Sequence, residues 1–92
     1  MNKEFHRRRL GIFLRAARMK AGLTQQQVAG ALGYSTPQFI SNWERGVSRP
    51  PDEVLARLRN MYGVSFREFR EAFIAYEDAL HKDRIKMLAE AI

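Results

Sequence analysis

Four polar side chains share one face of a short helical segment near the middle of the chain. They recur at i, i+3, i+4 and i+7 and are Gln38, Ser41, Asn42 and Arg45. Gln and Asn can bond to adenine in bidentate fashion, Arg can do the same to guanine, and Ser can bond to a base or a phosphate. A solvated helix face would more typically carry Glu and Lys, and the only acid in this segment is Glu44. The composition therefore favours a surface that reads base edges in a groove of duplex DNA.

The segment that carries this face, residues 36–45, has recognisable start and stop signals. Thr36 is a favoured N-cap residue, and Pro37 suits the first helical position, where its missing N–H has no partner to lose. Gly46 ends the segment. The apolar side chains fall on the opposite side and are expected to face a core: Phe39, Ile40, Trp43 and Val47.

A second short helix precedes it and completes a two-helix unit. Thr24 and Gln27 form a capping-box pattern at its start, and Gly33 stops it. Ala29 and Gly33 are small enough for two helices to cross closely. Two short helices joined by a tight turn predict a helix-turn-helix over about residues 24–45.

The remaining segments also have helical patterns. Apolar spacing predicts a first helix over 10–22 and a fourth over 52–63, and a capping-box pattern at Ser65 and Glu68 opens a long final helix. Residues 1–9 precede them as a basic N-terminal arm or as extra turns of the first helix. Because no segment has the pattern of a strand, we expect an all-α bundle of five helices.

The positive charge of the chain is concentrated at its start. The formal net charge is +6, and residues 1–22 carry seven basic side chains and one acidic one. This distribution suits a polyanionic partner, nucleic acid or an anionic membrane surface, but composition alone leaves a solvated charged face equally open. The absence of cysteine excludes disulfides and thiolate metal sites, and no apolar run approaches the roughly 20 residues of a membrane span. We therefore expect a soluble, cytoplasmic protein with no membrane partner.

The C-terminal residues 70–92 carry apolar side chains beyond the need of a small core. Their spacing follows helical periodicity, with an interruption at Asp83. An exposed apolar stripe of this length usually marks an interface. Two partners are open: a second copy of the chain, matching two DNA half-sites, or a different protein, such as a toxin held by an antitoxin. The candidate interface residues are Phe73, Tyr76, Leu80, Ile85, Leu88 and Ile92.

An ordered set of residues resembles the phage-repressor/Cro-type helix-turn-helix family, also called the XRE family. The match covers about residues 10–69 and includes Leu23-Thr24-Gln25, Val28-Ala29, Leu32-Gly33, Ile40-Ser41, Trp43-Glu44-Arg45-Gly46 and Pro50. The resemblance implies a compact lambda-repressor-like bundle of about five helices, with the third lying in the major groove. It also implies sequence-specific binding of double-stranded DNA by a transcriptional regulator, for which we expect repression.

The resemblance also implies roles for individual residues. Gln25 would contact a phosphate and brace the third helix, Gln38 and Asn42 would read bases, and Ser41 and Arg45 would lie nearer the DNA backbone. The span from Gly33 to Gly46 is one residue longer than in the commoner pattern, which leaves the contacts of Thr36, Pro37 and Gln38 open.

Other charged residues divide between structure and phosphate contact. The resemblance implies that Arg18 and Glu44 pair inside the domain and tie the first helix to the third. Arg49, just past the third helix, is a candidate phosphate contact. The basic residues at the start could reach phosphates or a minor groove, or could simply be solvated: Arg7, Arg8 and Arg9.

An enzyme is the disfavoured alternative. The two histidines, His6 and His81, are far apart in the chain, and no Gly-rich phosphate loop is present. The carboxylates near the C-terminus lie among Lys and Arg, which is typical of solvated helix surfaces. The sequence thus predicts no catalytic residue, no cofactor, no metal site and no small-molecule substrate.

Overall fold

The computed structural model describes residues 3–72, 81–82 and 88–89. Helix α1 spans Lys3–Lys20, α2 spans Gln25–Leu32, α3 spans Gln38–Glu44 and α4 spans Asp52–Tyr62. A fifth helix, α5, covers residues 66–72 of the described part. The described residues contain no strand, so the expected all-α fold of five helices is confirmed.

Backbone hydrogen bonds at glycine close the helices as the sequence predicts. At the end of α3, Gly46 has a φ of 78° and donates its N–H to the carbonyl of Trp43, while the N–H of Val47 bonds to the carbonyl of Asn42. This pair of hydrogen bonds requires a residue with a left-handed backbone conformation, which favours glycine. Gly33 closes α2 in the same manner, with a φ of 85°.

The two helices of the predicted helix-turn-helix begin differently. Thr24 and Gln27 form the full capping box at α2, with reciprocal bonds of 2.9 and 3.0 Å. Helix α3 begins one residue later than predicted, because Pro37 rather than Thr36 is its N-cap. The Thr36 hydroxyl still accepts a long 3.4 Å bond from the N–H of Gln38. The turn between α2 and α3 is correspondingly longer, since α3 begins at Gln38.

The core lies where the first four helices meet. It contains Leu10 and Leu14 of α1, Val28, Ala29 and Leu32 of α2, Ile40 and Trp43 of α3, and Leu55, Leu58 and Tyr62 of α4. Two apolar residues expected in the core lie at the surface instead: Phe39, which is 52% exposed, and Val47. A seven-residue helix can bury only one side, and Ile40 and Trp43 occupy that side of α3. Phe66 of α5 is also exposed, and the Arg59 guanidinium lies 5.4 Å from its ring centroid.

The backbones of α1 and the end of α3 approach each other closely at two glycines. A Cβ atom at Gly11 would lie 2.4 Å from the Trp43 carbonyl oxygen, and one at Gly46 would lie 2.6 Å from the Cα of Arg8. The prediction that Gly33 allows a close crossing is wrong, since a Cβ there would meet no atom within 4 Å. Ala29, by contrast, is fully buried.

The two ends of the chain bear on the remaining predictions. Helix α1 begins at Lys3, so residues 3–9 are extra turns of the first helix rather than an extended arm. Leu88 is exposed. The other predicted interface residues lie outside the described residues: Phe73, Tyr76, Leu80, Ile85 and Ile92. Within the described ranges, no helix is long and apolar enough to cross a membrane.

Candidate nucleic-acid interface

The outer face of α3 carries a connected set of polar side chains. Gln38 donates from Nε2 to Asn42 Oδ1 over 2.9 Å, and Arg45 donates from Nη2 to the same oxygen over 2.8 Å. Gln38 and Arg45 are exposed, while Ser41 and Asn42 are half-buried. The structure thus brings the four predicted polar residues together on one outward face of one helix.

The network has a consequence for base recognition by Asn42. A carbonyl oxygen has two lone pairs, and both are used when Gln38 and Arg45 donate to Asn42 Oδ1. Bidentate bonding to adenine needs that oxygen as an acceptor for the adenine amino group. Base contact by Asn42 would therefore replace at least one bond inside the network. Until then, the network holds the three side chains in a common orientation.

A buried ion pair fixes the opposite side of α3. Arg18 of α1 forms a bidentate pair with Glu44, from Nε to Oε2 over 2.6 Å and from Nη2 to Oε1 over 2.9 Å. The two side chains are only 10% and 3% exposed. Arg18 also donates to the carbonyl of Leu23 over 2.8 Å. The hydrogen bond to Glu44 raises the pKa of Arg18, although burial opposes the shift. The pair that the family resemblance implies is thus present and ties α1 to α3.

Gln25 joins the same carboxylate from the first residue of α2. Its Nε2 donates to Glu44 Oε1 over 3.0 Å, so one acidic side chain of α3 is held by both α1 and α2. The bracing role of Gln25 is therefore visible, and its contact with a phosphate stays a prediction. The first turn of α2 contains no acidic residue to compete with an anion at this helix end.

Tyr62 of α4 is buried beside this ion pair. Burial raises the pKa of the Tyr62 hydroxyl above its ordinary value, the negative charge of Glu44 raises it further, and the positive charge of Arg18 opposes the shift. Burial and the charge of Glu44 therefore favour the neutral form of this core tyrosine.

Two arginines outside α3 lie in settings that sequence patterns did not reveal. Arg49 bonds to Asp52 over 2.7 Å and to the Pro50 carbonyl over 3.0 Å, which holds its guanidinium at the start of α4. Arg57 donates to the Ala31 carbonyl over 2.8 Å and so joins α4 to α2. Phosphate contact by Arg49 stays a prediction and would share the guanidinium with Asp52.

One of the basic residues near the start of α1 lies next to the end of α3. The backbone of Arg8 runs against Gly46, and Arg7 and Arg9 flank it on the same helix. Phosphate contact by these three arginines stays a prediction. A long-range contact at a glycine produces this placement, and the only sequence signals for it are glycines at residues 11 and 46.

An aromatic cluster flanks the polar face. The ring centroids of Tyr34 and Phe39 are 4.9 Å apart, and each ring lies about 6 Å from Trp43, at 6.1 and 6.2 Å. The sequence pattern predicts Phe39 as a core residue and indicates no functional role for it. The signal for this cluster was Tyr34 in the turn, five residues before Phe39.

Comparison with known proteins gives a consistent result. The family model described as Helix-turn-helix (HTH_3) matches residues 14–69, more than half of the chain. The chain is similar to the "HTH-type transcriptional regulator DdrOP3" of Deinococcus deserti, with 35% identity over 65 residues, 71% of this chain and 50% of that protein. It is also similar to the "HTH-type transcriptional regulator ImmR" of Bacillus subtilis, with 41% identity over 56 residues, 61% of this chain and 43% of that protein. The chain spans about half the length of these curated relatives. No solved structure matches it significantly.

Proposed function

The chain belongs to the helix-turn-helix family, and on that premise we propose that it is a cytoplasmic transcriptional regulator that binds double-stranded DNA sequence-specifically. Helix α3 lies in the major groove in this proposal. The observation that carries it is the outward face formed by Gln38, Asn42 and Arg45, which are hydrogen-bonded to one another on a helix whose other side is buried. Repression is the simplest mode of regulation for such a protein, because occupying a DNA site requires no second activity.

Phosphate contacts would supply most of the affinity and its salt dependence. Arg8 of α1, whose backbone lies against Gly46, and the guanidinium of Arg49 at the start of α4 are candidate phosphate contacts. Each phosphate that such a group neutralises releases bound counterions, so affinity falls steeply as salt rises. The amide of Gln25 and the acid-free first turn of α2 support one further phosphate contact.

Base reading then requires an exchange of hydrogen bonds. Asn42 gives up a donor from Gln38 or Arg45 and accepts from a base instead, and the released side chain becomes available for a neighbouring base or phosphate. Because Glu44 is held from α1 and α2, the helix backbone stays in place during this exchange. Specificity therefore arises from side-chain rearrangement on a fixed helix.

A homodimer is the assembly that best suits this function. Two copies related by a two-fold axis would read two half-sites separated by about one helical turn of DNA. The apolar pattern of residues 70–92 supports a dimer interface there, and Leu88 is exposed in the described part. A different protein bound to the same segment, as in an antitoxin or an assembly factor, is the alternative. Co-purification of a stoichiometric partner would favour that alternative.

Selection from a random pool of duplex DNA tests the proposal. We expect sequencing of the retained molecules to show an enriched inverted repeat with half-sites about one helical turn apart. A single enriched half-site would retain sequence-specific binding and argue against the dimer. Retention of all sequences alike, with salt-sensitive affinity only, would contradict sequence-specific regulation by α3.

A further inference from the structure

Phe39 is an apolar residue on the helix proposed to read DNA, and the described core does not cover it. Its side chain is 52% exposed. It follows Gln38 directly and precedes Asn42 by three residues, so its exposed side adjoins the polar face of α3. A scattered exposed apolar residue is normal on a protein surface. Phe39, however, lies in the first turn of α3, beside the residues proposed to read bases.

The ring of Phe39 is held in place by its neighbours. It lies 4.9 Å from the Tyr34 ring and 6.2 Å from the ring of Trp43, which is buried in the core. A side chain already ordered by packing loses little further freedom when it binds. Phe39 therefore presents a fixed apolar surface beside the hydrogen-bonding groups of Gln38 and Asn42.

The major groove offers one apolar group at the base edges, the C5 methyl of thymine. We propose that Phe39 contacts this methyl group and so selects thymine over cytosine at one position of each half-site. The proposal rests on the proposed function, because it requires α3 to lie in the major groove. It extends base reading from the polar residues to an apolar one that the longer turn and Tyr34 hold at the edge of the polar face.

Deoxyuridine isolates the methyl group, because it differs from thymidine by that methyl alone and keeps the same hydrogen-bonding groups. In the duplex enriched by selection, each thymine is replaced in turn by deoxyuridine, and the dissociation constant is measured by fluorescence anisotropy. With the wild-type protein, we expect one position per half-site at which the replacement weakens binding roughly fourfold, as for the loss of one buried methyl group.

The same series is measured with two variants. Phe39→Ala should bind the thymine and deoxyuridine duplexes equally at that position. Met19→Ala removes a similarly exposed side chain, 57% exposed, from α1 and should keep the fourfold difference. Phe39→Gln replaces the alanine variant if the latter does not melt cooperatively, since glutamine is polar and compatible with a helix.

The outcomes separate this proposal from the one on which it rests. If selection enriches no sequence, the proposed function fails first and the methyl contact fails with it. If a sequence is enriched but no thymine is sensitive to deoxyuridine, only the methyl contact is overturned. An equal deoxyuridine effect in the wild type and the Phe39 variant would also overturn it, because another residue would then contact the methyl group.

Discussion

Replacing Gly11 with alanine should destabilise the fold, although the same change inside a helix usually stabilises it. Apart from packing, alanine in a helix interior is favoured over glycine by about 1 kcal/mol. At Gly11, however, the new methyl carbon would lie 2.4 Å from the carbonyl oxygen of Trp43 and 2.5 Å from that of Glu44. Both neighbours are backbone atoms, so no side-chain rotation relieves the contact.

The magnitude follows from how far the helices must move. Ordinary contact begins at 3.4 Å, so α1 and the end of α3 must separate by about 1.0 Å, the difference from 2.4 Å. The same movement would stretch the bonds between Arg18 and Glu44, which are 2.6 and 2.9 Å long. Overpacking costs about 1–3 kcal/mol, and the weakened ion pair adds to that cost. After the helix gain is subtracted, we expect a net loss of about 2 kcal/mol.

Urea and thermal denaturation followed by far-UV circular dichroism measure this loss. For a domain of this size, about 2 kcal/mol lowers Tm by about 8–16 °C. Gly30→Ala is the matched control: Gly30 lies inside α2, and a Cβ there would meet no atom within 4 Å. That variant should be more stable than the wild type by about 1 kcal/mol. A Gly11→Ala protein that is as stable as the wild type would refute the steric mechanism.

Three further predictions concern the ion pair, the core tyrosine and the polar face. Arg18→Ala should lower the free energy of unfolding by about 3–5 kcal/mol because it leaves a buried carboxylate without its cation. Arg67→Ala breaks an exposed ion pair and should change the free energy of unfolding little. Identical urea denaturation curves for the Arg18 and Arg67 variants would contradict the role of the buried pair. Tyr62→Phe should remove a loss of stability at alkaline pH. The pKa of Tyr62 is raised in the folded state from its ordinary value of 10.0, so its contribution to the free energy of unfolding is complete below pH 10.0 and declines as the pH rises further. Parallel declines in the stability of the wild type and the variant at alkaline pH would exclude this contribution. Asn42→Ala should weaken binding to the selected duplex by about 1–3 kcal/mol and relax specificity at one base pair, whereas Asn60→Ala on α4 should do neither. Equal loss on all sequences from the Asn42 variant would mean that Asn42 contacts the DNA backbone.

Features set by neighbours along the chain could be predicted from the sequence. The capping box at Thr24 and the helix end at Gly46 depend on residues within a few positions, and both are present. The family resemblance supplied the pair between Arg18 and Glu44, which no local pattern would have joined. The resemblance to the phage-repressor/Cro-type family is confirmed by the family match.

Features set by contacts between distant segments could not be predicted in this way. Gly11 reads as a weak point within a helix, whereas the structure uses it as the point where α1 meets the backbone of α3. Phe39 reads as a core residue because it neighbours Ile40, yet successive residues of a helix differ by about 100° in direction. The rotation of α3 about its axis decides whether Phe39 or Ile40 faces inward. The hydrogen bonds from α1 and α2 to Glu44 fix that rotation.

The division of labour within α3 affects how this protein can change over evolution. The residues that anchor the helix, Ile40, Trp43 and Glu44, are all buried. In the described part of the chain, the side chains of Gln38 and Arg45 bond to Asn42 on the same outer face. Substitutions on the outer face therefore leave the attachment of the helix intact. Substitutions at these positions can therefore change the preferred DNA sequence without destabilising the fold. A library of variants mutated on this face would differ in binding preference rather than in stability.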